Sequence, residues 1–168
     1  MPAIKHTGQR IAVLIDVQNL YHSAKNLYGA RVNFREILKL AVGQRNLIRA
    51  FAYVVRTKTG EEKLFFEALT KLGIETRVRD LQEFYGGLKK ADWDVGITID
   101  AIRIAPSVDT ICLASGDGDF IQLVEYLKNQ GKRIEIIAFG RSASGKLKEI
   151  ADEFIDLEKT PEKYLLKK

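Results

Sequence analysis

Five apolar residues in a row, Ile11-Ala12-Val13-Leu14-Ile15, stop abruptly at a carboxylate, Asp16. A strand wetted on one face alternates polar and apolar side chains. An unbroken run instead implies burial on both faces, as happens inside a parallel sheet covered by helices. Further strand signals follow. Leu47 to Val55, Ile74 to Arg79, Asp109 to Ser115 and Arg133 to Phe139 read as further strands. Helical spacing fills the gaps: a segment from Gln18 to Tyr28, then Phe34, Ile37, Leu38 and Ala41 behind the capping residue Asn33. Leu64, Phe65, Ala68, Leu69 and Leu72 follow, stopped by Gly73, and later Phe120, Leu123, Val124 and Leu127, stopped by Gly131. Alternating strands and helices predict an α/β fold, a three-layer Rossmann-like parallel sheet with helices on both faces.

Two stretches are less regular. Leu81 to Lys90 contains Gly86-Gly87 and reads as a loop. A helix then opens at Asp92 or Asp94 and runs to about Ala105, with Val95, Ile99 and Ile102 on one face and Pro106 at its end. Phe154 to Leu157 predicts an edge strand. Residues 1–9 are expected to form a tail, 10–158 one domain, and the charged residues 159–168 a second tail.

A chain of 168 residues, 46% hydrophobic, buries a core without covalent staples. The single cysteine, Cys112, lies in an apolar run, which excludes an internal disulfide and a cysteine-rich zinc site. No segment offers the ~20 apolar residues of a membrane span. The polar start of the chain lacks a signal-peptide core, so a cytoplasmic location is expected. The net charge of +5 suits an anionic partner.

In a sheet of this kind, functional groups collect beyond the carboxyl ends of the strands, where strand order reverses. Asp16 ends the first strand, and Asp117 and Asp119 follow the fourth within Gly116-Asp117-Gly118-Asp119. Asp94 starts a helix, and helix starts face the same edge. Taken singly, each is an ordinary cap or turn residue. Gathered, they repel one another and favour a divalent cation such as Mg2+ or Mn2+. Asn19, in the turn after Asp16, is placed to hold a carboxylate or a metal-bound water. Gly116 and Gly118 permit a tight turn. Asp100, six residues past Asp94, points to another face of an ideal helix and is either a supporting acid or a solvated one.

Three segments, Ile15-Asp16-Val17-Gln18-Asn19-Leu20, Lys90-Ala91-Asp92-Trp93-Asp94-Val95 and Ser115-Gly116-Asp117-Gly118-Asp119-Phe120, resemble the signatures of the NYN domain. This is the LabA-like branch of the PIN-like nuclease superfamily. The resemblance extends to Ser144, Leu147, Ala151, Asp152 and Phe154 to Leu157, so it covers about residues 10–158. It implies Mg2+- or Mn2+-dependent cleavage of RNA, with Asp16, Asp94 and Asp117 as the main metal-site acids and Asn19 and Asp119 in support. Members of the family often carry glycine where this chain has Ala91-Asp92-Trp93, so Asp92 competes with Asp94 for the ligand role.

A metal-activated water needs no histidine, which suits a chain with only His6 and His22. Cations expected at the same edge are Arg56, Lys58, Arg79, Lys89, Lys90, Arg141 and Lys146. Together with Ser144 they are candidates to hold a phosphate backbone. Tyr85 and Trp93 flank the lysine pair and are candidates to stack on unpaired bases, although Trp93 also suits the core. The expected partner is single-stranded RNA. A membrane partner is not expected, and a homodimer is left open.

Other chemistries fit less well. Gly140 to Lys146 has phosphate-loop spacing, but Leu147 stands where a metal-binding Ser or Thr belongs. A dehalogenase-like phosphatase wants an acid two residues after the strand-end nucleophile, where this chain has Gln18. A catalytically weak RNA-binding or regulatory protein that retains the metal site is the alternative to a nuclease.

Overall fold

The structure, a computed structural model, describes residues 6–57, 60, 62–80, 82–83, 89–90 and 92–166, with the backbone alone at 82–83 and 89–90. In chain order the elements are β1 (Arg10–Asp16), α1 (Val17–Tyr28), β2 (Arg31–Val32), α2 (Phe34–Val42), β3 (Asn46–Arg56), α3 (Lys63–Lys71) and β4 (Glu75–Asp80). There follow β5 (Gln82–Glu83), β6 (Lys89–Lys90), α4 (Asp94–Ile104), β7 (Thr110–Ala114), α5 (Ile121–Asn129) and β8 (Arg133–Ala138). The chain closes with α6 (Gly145–Ile150), β9 (Glu153–Asp156), α7 (Pro161–Tyr164) and β10 (Leu165–Leu166).

Six strands form one parallel sheet in the order β4-β3-β1-β7-β8-β9. The chain works outward from β1 through β3 to β4, then restarts on the other side of β1 and works outward through β7, β8 and β9. Strand order therefore reverses between β1 and β7. Alternate residues of β1 serve opposite faces, which is why its apolar run is unbroken. Ile11, Val13 and Ile15 pack with Leu20, Ala24, Ile37 and Ala41 of α1 and α2. Ala12 and Leu14 pack with Phe51, Tyr53 and the α4 and α5 residues Ile97, Ala101, Leu123 and Val124. Toward the amino ends of the strands, Arg45 and Glu135 make a buried two-toothed ion pair, both nitrogens 2.8 Å from the carboxylate oxygens.

The structure departs from the sequence expectations at five places. On α4, Val95, Ile99 and Ile102 face solvent, 68%, 43% and 41% exposed, and the buried face is Ile97, Asp100, Ala101 and Ile104. This helix is apolar on both sides, so periodicity cannot choose between them. Side-chain bonds to β3 do: the Tyr53 hydroxyl donates to Asp100 at 2.8 Å, and Trp93 Nε1 donates to the Val54 carbonyl at 3.0 Å. Pro106 lies within a further tight turn, Ala105–Ser107, rather than ending the helix outright. The segment read as a loop before α4 contributes β5 and β6, which pair antiparallel; Gly86-Gly87 lies outside the described residues. On α3, Leu64 is exposed and Leu69 is the buried anchor. The charged segment after residue 158 packs back, with Tyr164 buried and β10 paired antiparallel to β2.

Candidate metal centre

Asp16 is the last residue of β1 and is only 7% exposed. Its Oδ1 accepts the backbone N–H of Asn19 at 3.3 Å, and its Oδ2 accepts the Ser115 hydroxyl at 2.9 Å. Ser115, fully buried beyond the end of β7, also accepts the backbone N–H of Asp117 at 3.2 Å. The Asn19 side-chain oxygen accepts the Gly116 N–H at 2.9 Å. Two neighbouring strand ends are thus stitched together at the point where strand order reverses. Asn19 braces the backbone of the acidic turn, and its side-chain oxygen bonds to an amide rather than to a carboxylate.

The acidic turn is close-packed on its far side. A side-chain carbon added to Gly116 would lie 2.9 Å from the Ala143 Cα, and one added to Gly118 would lie 3.2 Å from the Ser144 hydroxyl. Ser144 N–H donates to the Gly116 carbonyl at 2.9 Å, and its hydroxyl accepts the Leu147 N–H at 3.3 Å, capping α6. Ser144 therefore supports the turn that carries Asp117. Within the turn, Asp117 Oδ1 accepts the Asp119 N–H at 2.9 Å.

Asp94, in the first turn of α4, comes to this turn from the other side. Asp94, Asp117 and Asp119 each bring a carboxylate oxygen within 4.8 Å of the other two. Asp16 stands beside this group rather than in it, with each oxygen already engaged. Asp92, one residue before the N-cap Trp93, accepts the Asp94 backbone N–H at 3.3 Å, and Asp94 is the acid that joins the group. Asp100, a candidate supporting acid, does not reach the cluster. It lies buried against β3, accepting Tyr53 and Arg77, the latter at 3.0 Å.

Burial, with the crowding of the acids, raises the proton affinity of Asp94 and Asp16. Burial lifts Asp94 to about 7, with Asp117, a hydrogen bond with Asp119, Asp92 and Asp16 adding to it. Burial lifts Asp16 to about 6, opposed by the bonds from Ser115 and Asn19 and reinforced by the charges of Asp117 and Asp92. Carboxylates held against their own repulsion are a binding site for a compensating cation. The donors are all hard oxygens, with no histidine or cysteine in the group, which fits Mg2+ or Mn2+ and not a soft metal.

The expected cations divide. Arg56 is paired with Asp80 at 2.8 Å. Arg141 donates to Glu158 at 2.7 Å and lies over the Tyr28 ring. Both are charge-neutralised from within the chain. Lys146 is exposed on the first turn of α6 with no ion-pair partner among the described residues. Lys58, Tyr85 and the side chains of Lys89 and Lys90 lie outside the described residues. The phosphate-loop spacing at Gly140 to Lys146 is disqualified by its neighbours. Gly140 N–H donates to Asp156 at 2.9 Å and Arg141 N–H to Glu158 at 2.7 Å, so carboxylates hold the amides a phosphate would need. Sequence reasoning missed the role of Ser115. Its signal is a serine closing the apolar run Ile111 to Ala114, directly before the Gly-Asp turn.

The NYN domain family model matches residues 10–158. The chain is 28% identical over 156 residues to the low amplitude and bright protein LabA of Synechococcus elongatus, covering 88% of this chain and 83% of LabA. It is 27% identical over 162 residues to an uncharacterized protein of Methanocaldococcus jannaschii, covering 92% of this chain but 58% of that longer one. A crystal structure of a protein of unknown function from Vibrio parahaemolyticus superposes with a TM-score of 0.86 at 32% identity, covering 98% of this chain and 100% of the other.

Proposed function

The chain belongs to the NYN domain family, and from that premise we propose that it is a divalent-metal-dependent ribonuclease that hydrolyses phosphodiester bonds in single-stranded RNA. The observation that carries this function is the convergence of Asp94, Asp117 and Asp119 within 4.8 Å at the reversal point of the sheet. When bound, a Mg2+ or Mn2+ ion supplies charge neutralisation at the phosphate and activates water for attack. Asp94, Asp117 and Asp119 hold the ion. Asp16 keeps a further negative charge beside them and, through Ser115, fixes the direction of the Asp117 turn. Asn19 and Ser144 hold that turn from its two sides. Because the acids emerge at the edge of the sheet, the site suits a flexible strand that can bend down to it.

The test is cleavage of end-labelled single-stranded RNA with Mg2+, with Mn2+ and with EDTA. Metal-dependent cleavage that stops with EDTA and is lost in Asp117→Asn supports the proposal. A protein that binds RNA yet cuts none under either metal is a regulatory RNA-binding protein instead.

A further inference from the structure

Arg79 is the penultimate residue of β4 and is exposed. Its guanidinium stacks on the Trp93 ring, 4.6 Å from the ring centre, and its Nη1 donates to the Asp92 carbonyl at 2.8 Å. The indole beneath is itself fixed. Its Nε1 donates to the Val54 carbonyl at 3.0 Å, its ring packs 5.4 Å from that of Tyr53, and Gly96 lies so close that no side-chain carbon fits there. Tyr53, Trp93 and Arg79 therefore lie one against the next, the two rings tilted by 57° to each other, buried at Tyr53 and open to solvent at Arg79. Arg56, at the end of β3, and Arg141, beyond the end of β8, are neutralised by Asp80 and Glu158. Arg79 has no carboxylate partner among the described residues; it is held by a neutral carbonyl and keeps its charge for a ligand.

We propose that Arg79 on Trp93 is a stacking platform for an unpaired RNA base, and that it helps select single-stranded substrate at the neighbouring acids. The proposal rests on the ribonuclease function above. A guanidinium plane backed by an aromatic ring offers a base both stacking and cation–π contact, and its remaining N–H groups can donate to the adjoining phosphate. A base inside a duplex has both faces covered and cannot use such a surface. Trp93 immediately precedes Asp94, and consecutive Cα atoms are about 3.8 Å apart. A base on the platform thus brings its own backbone to the edge of the acidic group.

The experiment measures binding by fluorescence anisotropy in EDTA, where cleavage is absent, using a labelled single-stranded RNA and an abasic oligomer of equal length and charge. Stacking predicts that the wild type prefers the base-bearing oligomer by at least about fivefold. Arg79→Lys keeps the charge and removes the plane, so it should bring the two affinities within about twofold while leaving the salt dependence unchanged. Emission from Trp93, the sole tryptophan of the chain, should respond to the base-bearing oligomer and not to the abasic one. A wild type without base preference, or an Arg79→Lys variant that keeps it in full, overturns the platform. If that same wild type still binds and cuts RNA, the ribonuclease function survives alone; if it binds neither oligomer in EDTA and cuts no RNA with Mg2+ or Mn2+, both fall.

Discussion

Ser115, just beyond β7, donates its hydroxyl hydrogen to Asp16, at the end of β1, across 2.9 Å. The bond joins the two strands between which sheet order reverses, and it is one of two that hold the most buried acid of the site. Replacing Ser115 with Ala leaves Asp16 with Asn19 alone. The variant should lose about 1–2 kcal/mol of stability. The Asp16 proton affinity should rise above its value of about 6, because the Ser115 bond lowers it. Denaturant titration and carboxyl NMR through the pH range read the two effects separately; an unchanged Asp16 midpoint refutes the assigned bond.

Metal affinity should rank the acids by their place in the structure. Asp117→Asn and Asp119→Asn each remove an oxygen from the three-acid group and should weaken Mn2+ binding by about tenfold or more. Asp16→Asn should weaken it less, since Asp16 lies outside that group. Calorimetry that finds Asp16→Asn the most damaging of the three contradicts this arrangement.

The site should titrate in a defined direction. Asp94 and Asp16 are raised in the folded protein to about 7 and about 6. Between their ordinary range near 4 and these values, the folded state binds more protons than the unfolded state. The contribution of these groups to stability is therefore fully present at low pH and is lost as pH rises through about 6 to 7. In EDTA, Asp94→Asn should show a flatter stability profile than the wild type between pH 5 and 8. Binding of Mn2+ should tighten over the same interval and release protons, which calorimetry in buffers of different ionisation enthalpy detects. Equal pH slopes in variant and wild type would refute the assignment to Asp94.

Gly116 tests whether the turn must be this tight. A methyl group there meets the Ala143 Cα at 2.9 Å, a backbone atom that cannot swing away. Gly116→Ala should cost about 1–3 kcal/mol and weaken Mn2+ binding by displacing Asp117. A variant with wild-type melting temperature and metal affinity would show that the turn has slack.

Much of this protein was legible in one dimension. The apolar run before Asp16 and the one before Ser115 require strands buried on both faces, and their ends place Asp16, Asp117 and Asp119 at one edge, because strand and helix periods are local properties of the chain. What tertiary structure alone decided is which side chains finally meet. The outward face of α4 was chosen by Tyr53 and Trp93, which bond across to Asp100 and β3, since Val95, Ile99 and Ile102 match Ile97, Ala101 and Ile104 in hydrophobicity. That same choice of face set Asp94, rather than Asp100, against the acidic turn. The fate of the cations was likewise decided in space. Arg56 and Arg141 found carboxylates 24 and 17 residues away, whereas Arg79 found an indole. Periodicity specifies which face an element buries when its faces differ, but the pairing of charges depends on distances of a few ångströms between segments that only folding brings together.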